Sequence, residues 1–199
     1  NVIHKNEYLA RKVLQVARQH TEKILREIGH GAEMPWREPV KIFLMPDRAT
    51  YLVKSGMPEW SVGMTHVELI GDGVAMTSIA IYQTTEDLLV DTLPHEVAHV
   101  VMFALISQSK RTPLAIHEGF AVSMEPKYKR NADIPMLLWK RLTGELIPLR
   151  ALLMKKRPGP DVRVFYAQSA SFVHFLVGLK DWETFFEFSE SVSAGSIDV

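Results

Sequence analysis

Between Glu86 and Ile106 the chain is apolar on nearly every side of a helical wheel, and a helix without a polar face has to be enclosed by the rest of its fold. The spacing predicts a central buried helix here. Pro94 lies inside it, so either the helix is kinked at that point or Thr92 caps a shorter helix with Pro94 in its first turn. Within the same segment stands His95-Glu96-Val97-Ala98-His99, an HExxH pentapeptide.

The rest of the chain supplies the material to enclose such a helix. It has 199 residues, 47% of them hydrophobic and 23% charged, which is the balance of a folded domain rather than of a disordered or coiled-coil chain. Lys plus Arg and Asp plus Glu number 23 each, and this neutrality argues against a nucleic-acid partner. The absence of cysteine rules out a disulfide framework, a thiolate zinc finger, an iron-sulfur cluster and a cysteine nucleophile. Any metal must therefore sit on His and carboxylate. The near-apolar run Val97–Ile106 is too short to cross a bilayer, so no membrane-spanning segment is expected in this piece. The chain opens on Asn1, and the expectation is a piece processed or excised from a longer protein.

Neither repeats nor linkers divide the sequence. The expectation is a single catalytic domain over residues 1–199, with a sheet-containing lobe over 1–110 and a helical lobe over 111–199. Glu7–Ile28 carries apolar residues on one helical face and ends at Gly29. Val40–Met45 reads as a buried strand, and Thr65–Ile70 and Val74–Tyr82 as a pair joined by the turn Gly71-Asp72-Gly73. Thr112-Pro113 reads as a cap and first-turn proline opening a helix over Leu114–Met124. Helices follow near Ile134–Leu142, Leu149–Met154, Val162–Leu179 and Trp182–Val192. Gly195–Val199 reads as a cap and the start of a further helix, so the chain is expected to continue beyond its C-terminus.

The pentapeptide carries the chemistry. Four residues are little more than one helical turn, so His95 and His99 project from one face and can share an ion at about 2.0 to 2.1 Å. Glu96, about 100° round the helix, stands beside the ion, where it can take a proton from water. Chance assembly of an HExxH in a chain of this composition has odds of about 0.02. A catalytic zinc site needs a third protein ligand and an open position. The places three and six beyond His99 are Met102 and Leu105, which excludes the extended motif with a third His. Glu118, in His117-Glu118-Gly119-Phe120-Ala121, offers the other common solution, a Glu from a following helix.

With these motifs the chain resembles a gluzincin zinc metallopeptidase of the peptidase MA-like group, related to thermolysin and the zinc aminopeptidases. Leu146-Ile147-Pro148-Leu149 and Tyr166-Ala167-Gln168-Ser169-Ala170-Ser171-Phe172 add to the likeness. The resemblance implies an α+β, zincin-like fold with a small, mostly antiparallel sheet, an N-terminal helix, the HExxH helix and an α-helical C-terminal lobe. It implies Zn2+ held by His95, His99 and Glu118, Glu96 as general base and Tyr166 facing the oxyanion, with a peptide or protein substrate. Such relatives are frequently exported or membrane-tethered in bacteria. Ala115 stands where relatives usually carry Trp, and Val74–Tyr82 lacks the acidic residue by which aminopeptidases grip an amino terminus. That departure favours cleavage within a chain or an unusual substrate, with Val74–Tyr82 bordering the cleft and offering its edge to an extended peptide.

A metal-bound imidazole usually gives its other N–H to a carboxylate or carbonyl. Glu125 and Asp91 are the candidates, each weighed against a solvated acid. His174, further along the helix of Tyr166, and His117, beside Glu118, read as surface or cleft residues. The basic runs Lys127–Arg130 and Lys155–Arg157 read as solvated loops, and Trp36, Trp60, Trp139 and Trp182 as packing. The rival readings are a non-catalytic zinc-bearing interaction domain and a metallohydrolase of a non-peptide amide or ester.

Overall fold

Burial alternates along Lys41–Met45, with Ile42 and Leu44 inward, as a strand covered on one face requires. A computed structural model describes residues 2–4, 6–31, 39–70, 73–82, 88–106 and 112–194. They form two compact units, residues 1–104 and 105–199. Both together make a mixed α+β fold.

The first unit has strands β1 (Val2–Ile3), β2 (Lys41–Met45), β3 (Gly63–Ile70) and β4 (Gly73–Tyr82). Their order is β1-β2-β4-β3. β1 with β2 and β2 with β4 run parallel, and only β3 with β4 antiparallel. The expected mostly antiparallel sheet is therefore a mixed one. The connections explain this, since parallel neighbours need a crossover. Helix α1 (Glu7–Glu27) links β1 to β2, and helix α2 (Arg48–Ser55), absent from the sequence expectation, lies on the path from β2 to β4. The topology also overturns the expected edge role of Val74–Tyr82. β4 is paired on both sides, and the edge strand beside it is β3. Residues 71–72 of the expected turn lie outside the described residues.

Local capping sets the helices of this unit. Asn6 accepts from the Leu9 amide at the start of α1, which buries Val13, Ala17, Ile24 and Leu25, and Gly29 beyond its end takes φ 74°. Asp47 caps α2 by accepting from the Thr50 amide at 2.7 Å, and the Thr50 N–H and hydroxyl hold its carboxyl below the usual range.

The central helix resolves the ambiguity at Pro94 in a third way. A π-helical turn, Leu88–Thr92, runs directly into helix α3 (Leu93–Leu105), which buries Leu93, Val97, Ala98, Val101 and Met102. Pro94 lacks an N–H, and its ring would crowd the carbonyl four residues back, so a widened turn ahead of it removes the clash without ending the helix. Residues 86–87 of the expected segment lie outside the described ones. The helical run Leu88–Leu105 thus reaches 18 residues, as does Val162–Leu179, and both are long and apolar enough to cross a membrane by length and composition. The near-apolar run that begins at Val97 covers only the second half of the first. Leu88–Leu105 is 56% buried and carries His95, Glu96 and His99 at its middle.

The second unit is helical: α4 (Leu114–Ser123), α5 (Lys127–Asn131), α6 (Ile134–Leu142), α7 (Leu149–Met154), α8 (Val162–Leu179) and α9 (Trp182–Ser193). Pro113 itself occupies the cap of α4, while the Thr112 hydroxyl bonds Ser193 at 2.8 Å, so Thr112 is not the cap expected. Lys127–Arg130 is helical rather than a loop. The core is aromatic, with Phe120 against Phe185 at 6.0 Å and Trp182 at 5.6 Å. A fully buried ring such as that of Phe120 or Phe185 contributes about 1.5–3 kcal/mol. Trp182 packs as expected, but Trp139 and Trp60 are exposed, and Trp36 lies outside the described residues.

Candidate metal centre

His95 and His99 stand one turn apart on α3, with their Nε2 atoms 3.2 Å from each other and their rings nearly perpendicular. Two donors at 2.0–2.1 Å from one tetrahedral ion are separated by about 3.3 Å, so the spacing fits a shared ion. His99 is 9% exposed and His95 half-buried, which leaves the pair sheltered but not sealed.

Glu96 is 5% exposed, and its position is fixed from β3. The Thr65 hydroxyl lies 2.7 Å from the Glu96 carboxylate and 3.0 Å from its backbone carbonyl. Two residues earlier on the same strand, Gly63 leaves the room that this carboxylate occupies, for a Cβ there would come within 2.7 Å of Glu96 Oε1. Beneath them the buried Tyr51 hydroxyl bonds Ser61 at 2.6 Å, and Ser61 donates to the Gly63 carbonyl at 2.9 Å. Burial pushes the Tyr51 phenol up, and the negative charge of Glu96 adds to that.

These four residues escaped the sequence reading. Thr65 and Glu96 are 31 positions apart, and nothing in the local pattern of an eight-residue strand marks one Thr as the partner of a carboxylate on a distant helix.

In the helical unit, Glu118 lies half-buried on α4, followed by Gly119. That glycine lets α4 approach α8, because a Cβ would run into the Ser169 backbone carbonyl and meet Val173 Cγ2 at 2.7 Å. Tyr166 sits half-buried on α8, its ring against Phe165. One turn-face away on the same helix, Gln168 pairs both its amide atoms with the backbone of Ile147, accepting at 3.0 Å and donating at 2.5 Å. This anchors the Leu146–Leu149 stretch to the helix of Tyr166.

The doubtful candidates separate. Glu125 is 7% exposed and pairs with Lys129 at 3.0 Å, so it is no solvated acid. Asp91 is half-buried in the π-helical turn. His117 is half-buried, and His174 is exposed with Arg130 2.9 Å from its Nε2. Each of His95, His99 and Glu118 offers one ligand atom, and the three atoms lie within 4.8 Å of one another. Imidazole and carboxylate donors of this kind suit several divalent transition ions. Comparison with protein-family models, with curated proteins and with solved structures returns no match.

Proposed function

We propose that the protein is a zinc-dependent hydrolase of the gluzincin type, cleaving peptide bonds, with His95, His99 and Glu118 as metal ligands and Glu96 as general base. The observation that carries this reading is the facing imidazole pair with a buried, immobilised carboxylate next to it in sequence. The grouping of the three donor atoms supports Glu118 as the third ligand. Zinc in such a site polarises a scissile carbonyl and lowers the pKa of water toward about 7.

The chain's own residues supply the rest of the chemistry. Glu96 takes the proton of the attacking water and passes it to the leaving amine. Thr65 holds that carboxylate in one orientation, which spares the reaction the cost of positioning it. Tyr166 is assigned, by the family resemblance, to donate its phenolic hydrogen to the oxyanion. An extended substrate pairs along β3, whose outer edge has no strand partner among the described residues and whose Thr65 touches the base.

A non-catalytic zinc-bearing domain has no use for a buried carboxylate held beside the ligands, and this weighs against that rival. The test is zinc content together with hydrolysis of a mixed peptide library. Wild-type protein should bind about one equivalent of zinc and lose its activity to chelator, whereas Glu96→Gln should keep the zinc and lose activity by about a hundredfold or more. Absence of metal uptake, or full activity in Glu96→Gln, would overturn the proposal. Cleavage of an ester or non-peptide amide alone would move the substrate class and leave the metal site intact.

A further inference from the structure

Helix α6 turns an apolar stripe to solvent. Ile134, Leu138 and Leu142 follow at four-residue spacing and lie within about 80° of arc, with Trp139 about 60° beyond Leu142. They are 49%, 55%, 83% and 64% exposed, and α6 buries none of its residues. Arg141 is exposed on the other flank of the stripe, about 20° from Ile134.

Charge is concentrated in the same stretch. Residues 127–157 hold nine Lys or Arg against Asp133 and Glu145, a net of +7 in a chain that is neutral as a whole. Lys127, Arg141, Arg150, Lys156 and Arg157 are exposed and form no ion pair among the described residues. Glu125 and Asp161, just outside this stretch, pair with Lys129 and Lys140, and the cations that remain unpaired favour a negatively charged partner.

We propose that α6 and the basic segments on either side of it dock the protein onto an anionic lipid bilayer. A partner here has to accept aliphatic side chains and an indole while neutralising flanking cations. Bilayers do both, since the acyl boundary takes Leu and Ile, the interface takes Trp, and anionic headgroups face Lys and Arg. Nucleic acid would match the charge but leave Ile134, Leu138 and Leu142 against phosphate and water. Each basic side chain that reaches such a surface strengthens binding about fivefold, and Arg141 flanks the stripe directly. The helix lies on the membrane and does not cross it, for nine residues span less than half of the hydrocarbon core.

The proposal stands apart from the metal centre and is tested with the full chain. Co-sedimentation is measured with phosphatidylcholine vesicles and with vesicles in which about a third of the lipid is phosphatidylserine. Binding is expected to the anionic vesicles only, with a blue shift of indole fluorescence that disappears in Trp139→Phe. Leu138→Glu with Trp139→Glu should weaken binding about tenfold or more, and Arg141→Glu several-fold, each with an unchanged circular dichroism spectrum. Glu96→Gln should bind vesicles as the wild type does. Failure to bind anionic vesicles, undiminished binding by the Leu138→Glu, Trp139→Glu protein, or self-association through Trp139 in ultracentrifugation without vesicle binding would each overturn it, the last assigning the face to a second copy of the chain.

Discussion

The Thr65 hydroxyl lies 2.7 Å from the carboxylate of Glu96, and this contact helps join the edge strand to the helix that bears the imidazole pair. It makes the proposed base a fixed group, supported from one side by a strand whose glycine leaves space for it and by the Tyr51-Ser61-Gly63 chain below. In the proposed reaction, a carboxylate free to rotate would spend part of its time aimed away from the water.

Removing that contact should cost turnover and spare metal. A hydrogen bond to a charged group is worth about 1.5–3 kcal/mol, so Thr65→Val should lower kcat by about ten to a hundredfold. Thr65→Ser keeps the hydroxyl and should recover most of the rate. Zinc content by elemental analysis should be equal in all three proteins. A Thr65→Val enzyme with wild-type kcat would remove Thr65 from any part in positioning the base.

Gly63→Ala attacks the same geometry by filling space. The new methyl would meet Glu96 Oε1 at 2.7 Å and Thr92 Cγ2 at 2.9 Å, so the Glu96 side chain has to move. The expected outcome is loss of most activity with a destabilisation of about 1–3 kcal/mol, read by urea unfolding. A crystal structure of the variant with Glu96 unmoved would contradict this account.

What the sequence disclosed, and what it withheld, follows the range of the interactions involved. The imidazole pair is local: residues i and i+4 on a helix share a face whatever surrounds them, so His95 and His99 could be read directly. Helices α6, α7 and α8 were equally legible, their bounds set by local periodicity and by Asp161 at the head of α8. Thr65, Gly63 and Tyr51 were not, because their meaning comes from tertiary packing. The sheet's direction was lost for a related reason. Hairpin chemistry at residues 71–73 speaks only for the neighbours it joins, and the parallel pairing of β2 with β4 depends on a crossover that includes α2. Trp139 was read as packing because aromatic residues usually are buried, and only its exposure reveals the outward stripe of α6.

In the helical unit, Gly119→Ala should damage stability. The added methyl points at the Ser169 backbone, and two packed helices have to separate to admit it. A flexible side chain could swing aside, but a helix backbone cannot. The expected destabilisation is about 3 kcal/mol, at the upper end for overpacking, and it should appear as a lowered Tm in calorimetry. Gly178→Ala on α8, where a Cβ meets nothing within 4 Å, is the control and should leave Tm unchanged or slightly raised.

The last prediction concerns acid. His20 on α1 is half-buried and donates to the Leu89 carbonyl in the π-helical turn ahead of α3. Burial holds its pKa below the ordinary value of 6.5, the nearby Lys23 charge lowers it further, and the Leu89 carbonyl only partly offsets them. The unfolded chain therefore binds more protons than the folded one just below pH 6.5, so stability rises with pH there. Neutral His20 contributes its full share above about pH 6.5, and that share is lost as pH falls through the lowered folded value. Gln has no proton to gain yet can still donate an amide N–H to Leu89. Thermal unfolding between pH 8 and pH 5 should accordingly fall less steeply in His20→Gln than in the wild type, with the two curves converging in slope above neutrality. Parallel curves throughout would mean that the imidazole titrates alike in both states and that its burial against the turn costs the charged form nothing.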